Sequence, residues 1–260
     1  VLIDEKFDSS EWPEGWTITG EAIKNWSISN TNNAGGEANE AKLGWSPQFN
    51  GISRLVAAPI NLTNVQSLIV KFDHYLDNYA DGFSTIGIAT SSDGGTSWNI
   101  GWSCEYNEEI KYSIEQRIAT SDMGKDNVLI CIYFEGVSAR FQAWYFDNIV
   151  VAAQPDTEVR LNSIDIYERI GSGPLDVKFS VQNMGNDDIQ SLIASYELEG
   201  YETVTEAFSA SIESFGTATF SFTDKKNILP GTYNIKINIL SINGSEDNTD
   251  DNVLSKEFNA

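Results

Sequence analysis

The sequence predicts an all-β protein: a β-sandwich over residues 1–153, followed by an immunoglobulin-like β-sandwich over residues 154–260. Three observations predict it. Apolar and polar residues alternate with the two-residue period of a strand almost everywhere, and helical periodicity is nearly absent. Turn signals rich in Gly, Asn, Asp and Pro separate the alternating runs. One stretch, Ala152-Ala153-Gln154-Pro155-Asp156-Thr157, interrupts the pattern, and a fresh set of runs follows it.

The chain start and the stretch before that break carry the chemistry. In Ile3–Asp8, alternation puts Ile3, Glu5 and Phe7 on one face, with Glu5 between two apolar neighbours. Trp144–Val151 reads as the closing strand of the first sandwich, with Asp147, Ile149 and Val151 pointing the same way. A buried carboxylate without a partner is costly. Two such groups close together need a cation between them, or one must hold a proton. The expectation is that these strands meet and that Glu5 and Asp147 share a calcium ion, a hard cation suited to oxygen ligands. Glu40 and Asp8 are the further side-chain candidates, with main-chain carbonyls from residues 30–45. The alternative is that both acids sit at solvated strand ends.

Between these ends the strands follow in order. Ser67–Leu76 places Leu68, Val70, Phe72, His74 and Leu76 on one face. Thr85–Thr90 continues with Ile86 and Ile88 inward. Asn127–Glu135 is apolar on both faces, as a central strand covered on both sides would be. Residues 29–52, rich in Asn, Gly and Ser, read as one long surface excursion. Ser91–Trp98 fits the Asp-box pattern, a hairpin turn in which the Asp side chain holds turn amides and Gly supplies positive φ; its role is structural.

After the break, Leu175–Val181, Ala218–Phe222 and Tyr233–Ile239 alternate cleanly, as sheets with one wet face do. Turns fall at Asn183-Met184-Gly185-Asn186 and Leu229-Pro230-Gly231. About seven short strands over some hundred residues suit an immunoglobulin-like sandwich.

Two resemblances add to this reading. DEKFD (4–8), WPEGW (12–16), Trp26, SRLVAAPINL (53–62), SSDGGTSW (91–98) and WYFDNIVV (144–151) follow the order seen in cleaved adhesin domains, also called choice-of-anchor J domains and related to MAM domains. The resemblance spans residues 1–153. It implies a jelly roll with bound calcium, an adhesive role and a bacterial surface. The final acidic pair of that pattern is Asp147-Asn148 here, where the family has two aspartates. VQNMGNDD (181–188), LPGTY (229–233) and ILSINGSEDNTDDN (239–252) resemble CARDB-type immunoglobulin-like modules, more loosely.

Composition bounds the partners. Lys+Arg is 16 against Asp+Glu 38, a formal charge of −22, which repels phosphate backbones and disfavours nucleic acid. No apolar run approaches the ~20 residues of a membrane-spanning helix. The chain opens directly on a strand at Val1, as a mature or trimmed secreted chain would. Cys104 and Cys131 could pair in an oxidising compartment or stay as buried thiols. Asn25, Asn61 and Asn243 head glycosylation sequons that matter only in a eukaryotic secretory pathway.

Catalysis finds little footing. His74 is the sole histidine and stands on an apolar face; no nucleophile motif accompanies it. One His and two Cys leave no soft-metal site, and nothing selects a glycosidase pair from so many acids. Most aromatics read as core, while Trp45 and Trp102 stand in Gly-flanked, loop-like contexts and are the ligand-binding candidates. Asp247–Asn252 could hold calcium but lacks the EF-hand pattern, so it reads as a solvated turn. The expected protein is a non-catalytic, secreted or cell-surface bacterial adhesin. Its ligand would be a host or matrix protein or a glycan. The alternatives are a carbohydrate-binding accessory module of a surface hydrolase and a structural spacer.

Overall fold

The computed structural model describes residues 1–79, 83–246 and 250–260. The chain divides into two compact units, Val1–Gln154 and Pro155–Ala260. Gln154 belongs with the first: its amide donates to Ser67 O at 3.0 Å, and its Oε1 accepts Arg117 Nε at 2.9 Å. Pro155–Thr157, the end of the stretch expected to be linker, is built into the second unit together with Glu158. Pro155 O, Asp156 O and Glu158 O accept the amides of Asn186, Asp187 and Met184 in the Asn183–Asp187 turn.

The first unit is a jelly-roll β-sandwich, with eleven strands among the described residues. They are β1 (Ile3–Glu5), β2 (Thr17–Gly20), β3 (Trp26–Ser29), β4 (Glu40–Gly44), β5 (Asn50–Val56), β6 (Leu68–Asn78), β7 (Ser84–Ser91), β8 (Asn99–Tyr106), β9 (Ile110–Ile118), β10 (Leu129–Val137) and β11 (Phe141–Ala153). One sheet runs β3-β4-β11-β6-β9, with β1 also on β11; the other runs β2-β5-β10-β7-β8. Their inner faces close over one core, to which β6 contributes Leu68, Val70, Phe72 and Leu76, β11 Trp144, Phe146, Ile149 and Val151, and β10 Ile130, Ile132 and Phe134. The alternation of β6 therefore reads directly into burial.

Two expectations change here and one is refined. Residues 29–52 are not one excursion: β4 and the start of β5 lie inside them, which leaves residues 30–39 as the connecting loop. β10 is central, and on its outer face Cys131 and Tyr133 are buried by a patch of side chains with Val56 and Ala89 within the first unit. Trp102 lies within β8, not in a loop, and packs against the core.

The two cysteines are free. Cys131 of β10 pairs across from Ala89, and Cys104 of β8 from Ile86, with β7 between them. The intervening strand alone sets them roughly 10 Å apart, and the offset between Ala89 and Ile86 along β7 adds to that, beyond the reach of a disulfide.

The Asp box forms the β7–β8 turn. Asp93 accepts the Ser97 amide at 3.0 Å and its hydroxyl at 2.6 Å, and Ser91 Oγ donates to Asp93 Oδ1 at 2.8 Å. These donors hold the Asp93 carboxyl down to about 2.

The second unit is an immunoglobulin-like sandwich. Val159–Ile164, Lys178–Asn183 and Thr217–Ser221 form one sheet; Val204–Ile212, Ile189–Leu198, Thr232–Ile242 and Val253–Asn259 form the other. Its core gathers Phe179, Val181, Tyr196, Ile235, Ile237 and Phe258. Asn183 is buried in the Asn-x-Gly turn, its amide donating to Asp187 O and Ile212 O and its Oδ1 accepting from Gly185.

Candidate metal centre and ligand groove

β11 brings the site together. β6 pairs with β11 along one whole edge, from Phe141 to Ala153. The other edge is shared: β4 takes Ala143–Phe146, and β1 takes Ile149–Val151. Asp147 and Asn148 fall in the gap between these partners. Glu5 ends β1 opposite Ile149, and Glu40 opens β4 one position before Ala41, which pairs with Phe146. The expected meeting of the first and last strands is thus a register-level fact, and the start of β4 joins it.

The pleat breaks at this point. The β11–β6 register skips between Asp147 and Val150, and Asn148 takes a left-handed φ of 53°. Two residues, not one, separate the core side chains Phe146 and Ile149. The bulge therefore turns Asp147 off the face of Ile149 and Val151, contrary to the unbroken alternation read from the sequence. Asp147 stands opposite Asp73 of β6.

Asp147 is nevertheless fully buried. The 30–39 loop comes down over it: a Cβ built on Gly36 would lie 2.5 Å from Asp147 Oδ2 and 2.8 Å from Asn148 Nδ2. Oδ1 accepts the Asn148 amide at 2.7 Å, while Oδ2 has no hydrogen-bond partner. Burial raises the carboxyl to about 7, against the pull of the Asn148 amide, and the charges of Asp8, Glu40 and Asp73 add to the rise.

The other candidates divide by what already occupies them. Glu40 is fully buried, and its carboxylate organises the loop: Oε1 accepts Thr31 Oγ1 at 2.5 Å and the Asn33 amide at 2.8 Å, and Oε2 accepts the Ala34 amide at 2.7 Å. Glu5 is half-buried, with Oε1 on the Phe7 amide at 2.7 Å. Asp8 is exposed, and its carbonyl accepts Asn39 Nδ2 at 2.9 Å. Asp73, expected only on the wet face of its strand, accepts Asn148 Nδ2 at 2.8 Å and the Ser113 hydroxyl.

Among the described residues no three acidic, His or Cys side chains stand close enough to form a metal cage by themselves. The donor set nonetheless suits a hard cation. One buried carboxylate oxygen is unpartnered, acidic charge surrounds it, and a glycine main chain is pressed against it where any side chain would collide. Of the acid-rich segment 247–252, residues 247–249 lie outside the described residues, and Asp250–Asn252 form a short 3-10 turn.

Of the nucleophile candidates, His74 is sealed while Cys104 is half-buried. His74 is fully buried, its Nδ1 accepting Trp144 Nε1 at 3.3 Å and its Nε2 without a partner, and burial pushes it down to about 4. Burial pushes the Cys131 thiol up to about 12.

Trp45 lies on the bend after β4 and is 37% exposed. Buried Asn25 clamps that bend: its Nδ2 donates to Gly44 O at 2.9 Å and to Pro47 O at 2.8 Å, on either side of Trp45. Beside the bend, residues 20–25 and 47–49 line a groove of about 360 Å³, with Glu21, Lys24 and Gln48 as its polar walls.

No family model matches the sequence, and no curated protein matches it. Solved structures do. An exo-β-agarase matches over 59% of this chain and 25% of its own, at 10% identity and a TM-score of 0.43. A carbohydrate-binding module specific for non-crystalline cellulose matches over 57% of this chain and 93% of its own, at 19% identity and a TM-score of 0.41. A cleaved adhesin domain of Lys-gingipain from Porphyromonas gingivalis matches over 59% of this chain and 98% of its own, at 12% identity and a TM-score of 0.43. The chain thus spans about a quarter of the agarase. Among the described residues no helix is long and apolar enough to cross a membrane.

Proposed function

We propose that this chain is a non-catalytic, secreted or surface-exposed adhesin module that binds a glycan at the Trp45 end of its first unit and is tied together by a structural calcium ion. The observation that carries the binding reading is Trp45 itself. A large aromatic stands partly exposed on a bend clamped at both ends, two residues before Pro47 in the wall of a groove that carries hydrogen-bonding residues. A rigid ring loses little entropy on contact, and sugars stack on flat aromatic faces. The non-catalytic reading is supported by the sealed imidazole of His74, the sole histidine.

For the cation, Asp147 Oδ2 is the anchor, with Glu5, Asp8 and main-chain oxygens of the 30–39 loop completing the shell and Glu40 folding that loop. A bound calcium would supply the positive charge that these carboxylates lack. Asp147 fastens the loop to β11, and Glu5 fastens the end of β1.

The test is an array of glycans and matrix proteins probed with the whole chain and with Trp45→Ala, with and without calcium. Glycan binding lost in Trp45→Ala at an unchanged melting temperature supports the reading. Binding only to matrix proteins, or glycan binding indifferent to Trp45, overturns it.

A further inference from the structure

The outer face of the five-stranded sheet carries an arrangement that neither the metal centre nor the Trp45 groove uses. One residue from each strand lines up in register across it: Thr19 of β2, Arg54 of β5, Tyr133 of β10, Gly87 of β7 and Ser103 of β8. Five strands set such a row about 19 Å long. Gly87 gives it a flat floor: a Cβ there would sit 2.5 Å from the Tyr133 ring, so only glycine lets that ring lie down on the sheet. Thr19 and Ser103 stand exposed at its two ends.

Arg54 is the charged residue of the row, between Thr19 and Tyr133. Its guanidinium lies over the Trp98 ring, 5.3 Å from the centroid, which holds the planar fork in one orientation. Its Nε is buried without a hydrogen-bond partner. Among the described residues no carboxylate stands at ion-pairing distance from it, in a chain with 38 acidic residues. The neighbouring row, Ile52–Glu135–Thr85–Glu105, adds two carboxylates and a hydroxyl on the same face.

We propose that this row is a second ligand-binding surface, for an oligosaccharide that bears a carboxylate. The fork of Arg54 matches a carboxylate bidentately. The hydroxyls of Thr19 and Ser103 and the carboxylates of Glu135 and Glu105 match sugar hydroxyls, which both donate and accept. Those two glutamates favour a saccharide over an acidic peptide, which would bring further carboxylates against them. The net charge of −22 opposes any anion, but at physiological salt its reach is about 8 Å, so the local guanidinium governs the contact.

The experiment titrates the whole chain with carboxylated oligosaccharides (hexuronate and sialylated), their methyl esters, and a poly-glutamate peptide. Wild type should bind at least one acid form more tightly than its ester. Arg54→Gln should lose about tenfold or more, the size of a hydrogen bond to a charged group. Arg54→Lys should fall between the two, since it keeps the charge but not the fork. Trp45→Ala should leave this binding unchanged, which separates it from the groove described above. Melting curves verify that each variant is folded. Equal affinity for acid and ester, binding unmoved in folded Arg54→Gln, equal binding of poly-glutamate, or no carboxylated sugar bound by wild type would each overturn the proposal.

Discussion

Asn148 Nδ2 donates to Asp73 Oδ2 at 2.8 Å, across the strand pair in which Asp73 stands opposite Asp147. The amide neutralises nothing, but it keeps Asp73 directed at a donor and leaves Asp147 as the carboxylate with an idle oxygen. Asn148→Asp would set a second carboxylate at that short distance. Without added metal it should melt below wild type, because like charges repel in a buried setting. Added calcium should raise its melting temperature by more than it raises that of wild type. An equal increment would show that the two positions do not feel the same ion.

Calcium should stabilise the first unit and leave the second unchanged. A ligand of the folded state alone contributes about 2.7 kcal/mol at a hundredfold excess over its dissociation constant. Chelator titration in a calorimeter, with the two units resolved, measures this. Asp147→Asn removes the charge and keeps the shape. It should melt at or above chelated wild type and show no calcium response. A calcium response that survives in Asp147→Asn would sink the assignment.

Gly36→Ala tests the loop. Its φ of 73° disfavours any side chain, and the added methyl would meet Asp147 Oδ2. Loss of about 1–3 kcal/mol is expected, with the calcium response reduced as well. Gly94→Ala is the control: its φ is also positive, at 72°, but nothing lies within 4 Å of the added atom. It should cost stability and leave the calcium response intact.

His74 predicts a pH dependence. Its folded pKa of about 4 lies below the ordinary value of 6.5, so between them the unfolded state binds the extra proton. The stability it contributes is complete above pH 6.5 and is lost as pH falls towards 4, up to about 3 kcal/mol. Metal-free Asp147, with its raised pKa, slopes the opposite way, so the comparison belongs in calcium. His74→Gln, which still offers Trp144 an acceptor, should melt lower at pH 7 and lose less on acidification. Parallel pH profiles for the two proteins would refute the assignment.

Asp122 should be a stability determinant. It is buried and accepts Thr90 Oγ1, Ser92 Oγ and Asn99 Nδ2 at 2.7, 2.7 and 2.9 Å, pinning the start of β8 to the loop before β10. Asp122→Ala strands three donors and should cost about 2–4 kcal/mol. Chemical denaturation measures it, and a loss below about 1 kcal/mol would show that water replaces the carboxylate.

Much of the fold was legible because burial on one face forces alternation. Leu68–Leu76 and Tyr233–Ile239 show it, and each lies as read. The site was only partly legible. Glu5 and Asp147 stand out as acids between or beside apolar residues, Glu40 as an acid in the polar 30–45 stretch, and Asp8 as the acid that follows Phe7. The turn of Asp147 off the core face was not legible, since period-two reasoning assumes an unbroken pleat. Its one local signal is Asn148, a residue type that accepts positive φ. Asp73 gave no signal: it looks like any wet-face residue of an alternating strand, and only strand pairing puts it opposite Asp147. Trp102 misled through its neighbour Gly101, which reads as a loop residue. In the fold that glycine makes room for Ile118, whose side chain would lie 2.4 Å from an added Cβ.

The pairing of β1 with β11 has a mechanical side. Ile3 lies opposite Val151, so residues 3 and 151 sit side by side at one end of the first unit. A pull that separates these two points loads the β1–β11 ladder from its open end, and its hydrogen bonds break singly and in sequence, not all at once in shear. The ladder is only three residues long, and Phe7, packed between Trp12, Trp16 and Phe146, is the first deep anchor behind it. Under tension the unit should yield first by peeling back to Phe7. The end of that peel is Glu5, so an ion bridging Glu5 to the β11 bulge would raise the force at which the peel begins.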